Sequence, residues 1–209
     1  MCRIYFYKLT EDNGGAPCVT SDLLSLAICK PMFRKTAKEG DLIFGFGANS
    51  LDPHNRLDPH NRLIYVARIT EKLSDGKYYD QFTQRGDCIY RFDGDHYEWV
   101  SGSLHHGPGD LVHDLGSPAT YSRANVLLSK DFRYFGKAGT DEYKSEFPDV
   151  CHAVERLGQG YRVHHVPELW CRLKRMADWV WQTNKKMKRE PTNKPSRSVC
   201  HRSESCGVA

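Results

Sequence analysis

The sequence predicts one α+β domain at residues 1–184, followed by a disordered basic tail at residues 185–209. The domain should contain a small, mixed or mostly antiparallel sheet that curls into a barrel, with flanking helices. Short runs of aromatic and β-branched residues, bounded by Gly, Asn and Asp, are typical of strands. One later stretch repeats its apolar residues every three or four positions, which predicts a helix against the sheet. The tail is mostly Lys, Arg, Ser, Thr, Asn and Pro, and it contains too little apolar surface to fold.

Several segments have the pattern of strands. Residues 2–9, CRIYFYKL, are rich in aromatic and β-branched types. The run DLIFGFG at residues 41–47 is short, apolar and interrupted by Gly, which predicts a buried strand. Residues 62–73 alternate apolar and polar types over their second half, so one face should contact water. The strings CIYRF and HYEWV flank an Asp-Gly turn and predict a hairpin, and NVLLS at residues 125–129 predicts another short strand.

Three helices are predicted. The first should begin at Ser21 or Asp22, either of which can cap it, and end at Lys30 because Pro31 follows. The second lies within the stretch SEFPDVCHAVERLG. The third covers residues 167–184, where an apolar stripe recurs at helical spacing and should pack onto the sheet.

The net charge of +4 is unevenly distributed along the chain. From Arg172 to the end, ten Lys or Arg stand against three acids, giving +7, which leaves −3 on residues 1–171. A basic tail suggests a nucleic-acid or other polyanion partner, held through phosphate contacts. A solvated tail that improves solubility explains the same charge, and the sequence leaves both alternatives open.

Composition predicts a cytoplasmic protein with no membrane partner. The sequence has no run of the ~20 apolar residues that a membrane span requires, and its start, MCRIYFYKLT, lacks the features of a signal peptide. Its eight cysteines are scattered without a C-x-x-C pair, so we expect reduced thiols rather than disulfides or a zinc site. We expect no metal or other cofactor, and the oligomeric state is left open.

A duplicated hexapeptide, Leu-Asp-Pro-His-Asn-Arg, occupies residues 51–62 between two predicted strands. Its Asp-Pro and His-Asn pairs favour turns, and lengthening a surface loop costs little closure entropy. The two histidines, His54 and His60, cannot supply the four ligands of a structural zinc. We interpret the repeat as a tolerated duplication in an exposed loop.

Cationic residues accumulate at two places beside predicted strands. Lys30 and Arg34 lie between the first predicted helix and the next strand, where they can bind an anion at a sheet edge. Lys130 precedes Tyr134 and Phe135, and this combination suits stacking on a base and neutralising a phosphate. A basic surface loop and ordinary core aromatics are the structural alternatives.

The stretch WVSGSLHHGPGDLVHDLG is unusually rich in glycine and polar side chains. Ser103, His105 and His106 can hydrogen-bond a ligand, and either histidine can act as a general acid or base near neutral pH. His105, Asp110 and His113 can in principle form a facial metal triad. We favour hydrogen bonding to a ligand without a metal, and a long turn without function is the alternative.

Three strings, LAICKPMFRKTAKEGDLIFGFG, RLIYVARITE and VLLSKDFRYFG, carry a family resemblance. Their order and type of spacing resemble the nucleotide-modification-associated domain 2 family over roughly residues 3–165. GDLIFGFG and LIYVARITE also look like the second and third strands of PUA-like barrels such as EVE and ASCH domains. The first resemblance implies a role in bacterial and phage systems that make or handle modified nucleotides. The second implies RNA or a modified base bound in an aromatic-lined pocket, and neither supplies catalytic residues.

We therefore predict a PUA-like domain that binds a nucleotide or modified base and acts with DNA- or RNA-modification machinery. The aromatic residues should stack on the base, the cations should contact its phosphates, and the Gly-rich loop should recognise its polar groups. The predicted ligand-binding residues are Lys30, Arg34, Ser103, His105, His106, Lys130, Tyr134 and Phe135.

Two other functions are compatible with the same residues. A nucleotide-modifying transferase or hydrolase would use His105 or His106 as acid or base, with Asp110 or Asp131 as the partner. No nucleophile elbow, P-loop or Rossmann fingerprint in the sequence favours this enzyme. A protein-interaction module with a basic tail would need no pocket.

Overall fold

The structure, a computed structural model, describes residues 2–20, 22–48, 51, 60–158 and 160–184. Within these ranges the strands, in chain order, are β1 (Ile4–Leu9), β2 (Cys18–Val19), β3 (Leu24–Leu26), β4 (Leu42–Gly47), β5 (Leu63–Arg68), β6 (Glu71–Leu73), β7 (Tyr90–Phe92), β8 (Tyr97–Trp99), β9 (Val126–Ser129), β10 (Asp131–Tyr134) and β11 (Tyr161–Arg162). The helices are α1 (Pro31–Thr36), α2 (Lys77–Phe82), α3 (Leu111–Leu115), α4 (Tyr143–Glu146), α5 (Pro148–Glu155) and α6 (Pro167–Thr183), and a 3-10 turn covers Pro108–Asp110. The α+β class is confirmed.

Two larger sheets and one hairpin organise the strands. The five-stranded sheet has the order β10-β5-β4-β1-β11, and only β1 and β4 run parallel within its described pairs. The four-stranded sheet has the order β2-β3-β9-β6 and is antiparallel. β7 and β8 form the predicted hairpin, with Tyr90 opposite Trp99.

The predicted PUA-like barrel is not confirmed. In the part of the chain that the structure describes, both larger sheets are open, with β10 and β11 at the edges of one and β2 and β6 at the edges of the other. The chain passes between the sheets at Lys130, which separates β9 from β10, and at residues 69–70, which separate β5 from β6. Each of these two β segments therefore divides between the two sheets, and side chains from both sheets share one core.

Successive residues of β1 face different cores, because neighbouring side chains of a strand point to opposite faces. Ile4 and Phe6 pack with α5 and α6, whereas Tyr5 and Tyr7 pack between the two larger sheets. A third core lies beneath the β7–β8 hairpin. The apolar stripe of α6 is buried, as predicted, through Leu173, Met176, Ala177 and Val180.

The first predicted helix is wrong, and the error matters because this segment carries the candidate site. Residues Leu24–Leu26 form β3, and the helix begins at Pro31, where the predicted one ended. A short apolar run fits a buried strand as well as a helix, and proline favours the first position of a helix. The proposed cap Ser21 lies outside the described residues.

Several other predictions fall outside the described ranges or are refined by them. The tail at residues 185–209 and residues 52–59 of the duplicated loop, including His54, are not described, whereas His60 is exposed. The string VLLSKDFRYFG forms two strands rather than one strand and its exit. None of the helices in the described ranges combines the length and the apolar character needed to cross a bilayer.

Candidate active site

Cys29 lies in a tight turn between β3 and α1. Its φ is 57° and that of Lys30 is 45°, so two consecutive non-glycine residues occupy the left-handed region. Each such residue costs on the order of 1–3 kcal/mol and persists only where the surroundings enforce it, which is common at active sites. The strand–turn–helix order presents the Cys29 thiol at the end of the sheet, as a nucleophile elbow presents its nucleophile.

His106 links this thiol to a buried carboxylate. Its Nε2 lies 3.3 Å from Cys29 Sγ, and its Nδ1 lies 2.6 Å from Asp114 Oδ2. Because an ionised carboxylate can only accept, the short contact places a proton on Nδ1 and leaves Nε2 facing the thiol as a base. The three side chains therefore form a continuous nucleophile–base–carboxylate series, with the geometry that activates a cysteine.

The Asp114 carboxylate is held in one orientation by two further donors. Its Oδ1 accepts the Cys29 backbone N–H at 3.0 Å, and its Oδ2 accepts the Tyr90 hydroxyl at 2.9 Å. Asp114 is fully buried, and the Arg34 guanidinium lies 3.9 Å from Oδ1. Burial, together with the Asp114 charge, raises the pKa of Tyr90, so its hydroxyl stays protonated as a donor.

Arg34 connects the backbone segments that carry the site. Its guanidinium donates to the carbonyl oxygens of Cys29 at 2.7 Å, Asp114 at 2.8 Å, Arg123 at 3.1 Å and Asn125 at 2.5 Å. The side chain is fully buried, and burial lowers its pKa although the Asp114 charge opposes that shift. Arg34 thus fixes the position of the turn at Cys29 and Lys30, called here the nucleophile turn, relative to α3.

An open cavity lies against the thiol and the imidazole. It is lined by Cys29, Lys30, His105 and His106, together with Tyr7 and residues of the segment that follows β1. The Lys30 ammonium lies 5.3 Å from the centroid of the Tyr7 ring. A substrate that enters this cavity would therefore meet a nucleophile, a base and a cation together.

The structure brings three of the eight predicted ligand-binding residues to this cavity, namely Lys30, His105 and His106. Ser103, from the same Gly-rich loop, instead donates its hydroxyl to the Val100 carbonyl oxygen at 2.6 Å. The loop is thus divided between a structural turn and the cavity wall.

The predicted ligand-binding residues in and beside β10 do not share one surface of the five-stranded sheet. Tyr134 is 4% exposed, packs in the same core as Tyr7, and donates to Asp12 Oδ2 at 2.5 Å. Phe135 packs against the opposite core, with α5 and α6. Lys130 is exposed in the turn between β9 and β10. These three residues do not line the cavity beside Cys29.

Asp110 and Asp131, the predicted partners of the loop histidines, have other contacts. Asp110 accepts the Gly107 backbone N–H at 2.9 Å, and Asp131 pairs with Arg68 at 3.1 Å and accepts the Trp181 indole N–H. The carboxylate beside His106 is instead Asp114. Sequence reasoning missed both Asp114 and Cys29, since Cys29 stands in an apolar string and is 77 positions from His106.

The suggested metal triad does not assemble in the described ranges. Among the described residues, one cluster brings such ligand atoms close together. It consists of Asp93, His96 and Glu98, on the exposed β7–β8 hairpin. The Arg91 guanidinium occupies one Glu98 oxygen at 2.6 Å, and the Asp93 carboxylate caps the turn. These contacts explain the cluster as part of the hairpin.

Comparison with known proteins gives one family match. The family model described as nucleotide modification associated domain 2 matches residues 1–198, which is nearly the whole chain. Searches of curated proteins and of solved structures gave no match.

Proposed function

The chain belongs to the nucleotide modification associated domain 2 family, and from that premise we propose that it is an enzyme of nucleotide modification with Cys29 as a covalent nucleophile. The observation that supports this proposal is the series Cys29–His106–Asp114 at the wall of an open cavity. A thiol in a structural role needs neither an imidazole within 3.3 Å nor a carboxylate behind that imidazole.

Acyl transfer is the reaction class that this geometry suits best. The Cys29 thiol would give its proton to His106 Nε2 and attack the carbonyl carbon of an acyl or amide group on a nucleotide. The bond to the leaving amine or alcohol then breaks, His106 returns the proton to that leaving group, and a thioester remains on Cys29. Water or an acceptor amine would then attack the thioester, with His106 again removing the proton.

The cavity must also supply a donor for the oxyanion of the tetrahedral intermediate. The Cys29 backbone N–H is already donated to Asp114 Oδ1, so it serves the carboxylate rather than the substrate. Among the other polar side chains on the cavity wall, His105 is the candidate for this role.

The second candidate function is binding of a nucleotide or modified base without turnover. The Lys30 ammonium on the cavity wall supports it, because a lysine ammonium can contact a nucleotide phosphate. A binding domain would act with DNA- or RNA-modification machinery, and the basic tail at residues 185–209 would add contacts to a nucleic acid. This function makes no use of the thiol.

Acylation by 4-nitrophenyl acetate distinguishes the two functions without knowledge of the natural substrate. We expect release of about one equivalent of 4-nitrophenolate per protein in a fast phase, with the acetyl group on the Cys29 peptide by mass spectrometry. Cys29→Ala should remove that phase, and Cys171→Ala, which changes an exposed cysteine on α6, should keep it. Acetylation of Cys29 no faster than that of Cys171 would refute covalent catalysis and favour the binding function.

A further inference from the structure

We propose that Lys30 forms a subsite for an anionic oxygen group of the substrate, a phosphate or a carboxylate, beside the Cys29 thiol. The proposal rests on the function proposed above and defines its substrate class: the acyl-bearing nucleotide should enter the cavity with a negative charge next to the reacting carbon.

The backbone of the nucleophile turn determines where Lys30 lies. Lys30 directly follows Cys29 and shares its left-handed conformation, with φ 45° against 57°. This conformation is uncommon for a side-chain-bearing residue, so the turn holds a lysine in a place where a glycine would carry less strain. The ammonium lies 5.3 Å from the Tyr7 ring centroid, on the cavity wall.

Lys8 and Lys30 both line the cavity, and Lys30 is the one that directly follows Cys29. Lys8, which also lines the cavity, directs its ammonium to the Glu155 carbonyl oxygen at 3.5 Å. The Glu11 carboxylate accepts from the Asn13 amide at 2.8 Å. Among the ion pairs formed by described residues, none involves Lys30.

The contact with Tyr7 explains how the ammonium is oriented without being neutralised. A cation over an aromatic face is attracted by the ring but keeps its positive charge and its donors. Tyr7 is itself fixed, because its buried hydroxyl lies 2.8 Å from the Tyr65 hydroxyl. A lysine held in this way is a point charge suited to phosphate or carboxylate oxygens.

Two alkylating reagents of nearly equal size test the subsite. Iodoacetate carries a carboxylate and iodoacetamide is neutral, so the ratio of their rates at Cys29 reports the local charge and cancels changes in thiol reactivity. We expect Lys30→Gln to lower the iodoacetate-to-iodoacetamide ratio about 3- to 10-fold, the order expected for one unit charge at a solvent-facing site. The matched control is Lys35→Gln, which removes an exposed charge from α1 and should leave the ratio unchanged.

Competition between small anions then identifies the preferred group. Inorganic phosphate and acetate, compared at equal ionic strength, should slow the alkylation of Cys29 by iodoacetate in the wild type and not in Lys30→Gln. Stronger competition by phosphate assigns the subsite to a nucleotide phosphate, and stronger competition by acetate assigns it to a carboxylate. The subsite is refuted if neither anion competes, or if Lys30→Gln and Lys35→Gln have the same ratio as the wild type.

Failure of this proposal is separable from failure of the proposed function. Acylation of Cys29 by neutral 4-nitrophenyl acetate tests the nucleophile and involves no anionic reagent. A fast acylation with an unchanged alkylation ratio would retain the enzyme and reject the Lys30 subsite.

Discussion

Replacing Arg34 by methionine should strongly destabilise the protein. Methionine keeps most of the length and apolar volume of the stem, so the change mainly removes the guanidinium. The four carbonyl oxygens that accept its hydrogen bonds would lose a donor, and the buried Asp114 carboxylate would lose the cation 3.9 Å away.

The expected loss follows from the burial of both partners. Removing one member of a fully buried ion pair typically costs about 3–5 kcal/mol, because the remaining charge stays desolvated. In a chain of this length each kcal/mol shifts the melting temperature by about 2–4 °C, so the expected drop is about 6–20 °C. Thermal unfolding followed by circular dichroism measures it directly.

The matched control is Arg91→Met, which breaks an ion pair whose two side chains are both about half exposed. Exposed pairs contribute little to stability because solvent screens them, so this variant should melt close to the wild type. If Arg34→Met melts no lower than Arg91→Met, then Arg34 does not stabilise the nucleophile turn.

Three further predictions concern other parts of the chain. Gly45→Ala should cost about 1–3 kcal/mol, because the new Cβ would clash with the Tyr65 ring, whereas Gly109→Ala has open space and should melt as the wild type does. Burial lowers the pKa of His165 below its ordinary value of 6.5. The neutral ring therefore contributes its full stability above pH 6.5, and that contribution is lost as the pH falls from 6.5 toward the lower pKa of the folded state. When the pH is lowered from about 7.5 to about 5.5, the melting temperature of His165→Gln should therefore fall less than that of the wild type. Equal falls would contradict the role given to His165. Removal of residues 185–209 should weaken oligonucleotide binding and flatten its salt dependence, and unchanged affinity at low salt would exclude the tail as a polyanion contact.

Most elements were predictable where local pattern and burial agree. The strand at residues 41–47 is bounded by Gly and buried on both faces, and α6 has a long apolar stripe with one partner surface. The apolar run before Pro31 misled the prediction, because a run this short has no periodicity that separates a strand from a helix. The prediction of a barrel failed for a different reason. Whether a sheet closes depends on where its strands bend, and the strand pattern of a sequence does not specify those positions.

The candidate site shows a similar division. His106 was found because polar groups accumulate in a Gly-rich loop without a packing reason. Cys29 was not found, since it lies in an apolar string. Asp114 lies in the same polar loop as His106 but was not assigned as its partner, because only the fold brings Cys29 and Asp114 to one imidazole. A positive φ at Cys29 or a 77-residue separation leaves no local mark in a sequence.

The most direct test of the central claim is a double-mutant cycle on Cys29 acylation. The rate of acylation by 4-nitrophenyl acetate would be compared in the wild type, His106→Ala, Asp114→Asn and the double variant, each checked for an intact fold by thermal unfolding. If Asp114 acts only through His106, each single change slows the reaction about 10²- to 10⁴-fold, and the double variant is no slower than His106→Ala alone. Multiplicative losses in the double variant, or rates that match the wild type in both single variants, would contradict a functional Cys29–His106–Asp114 series.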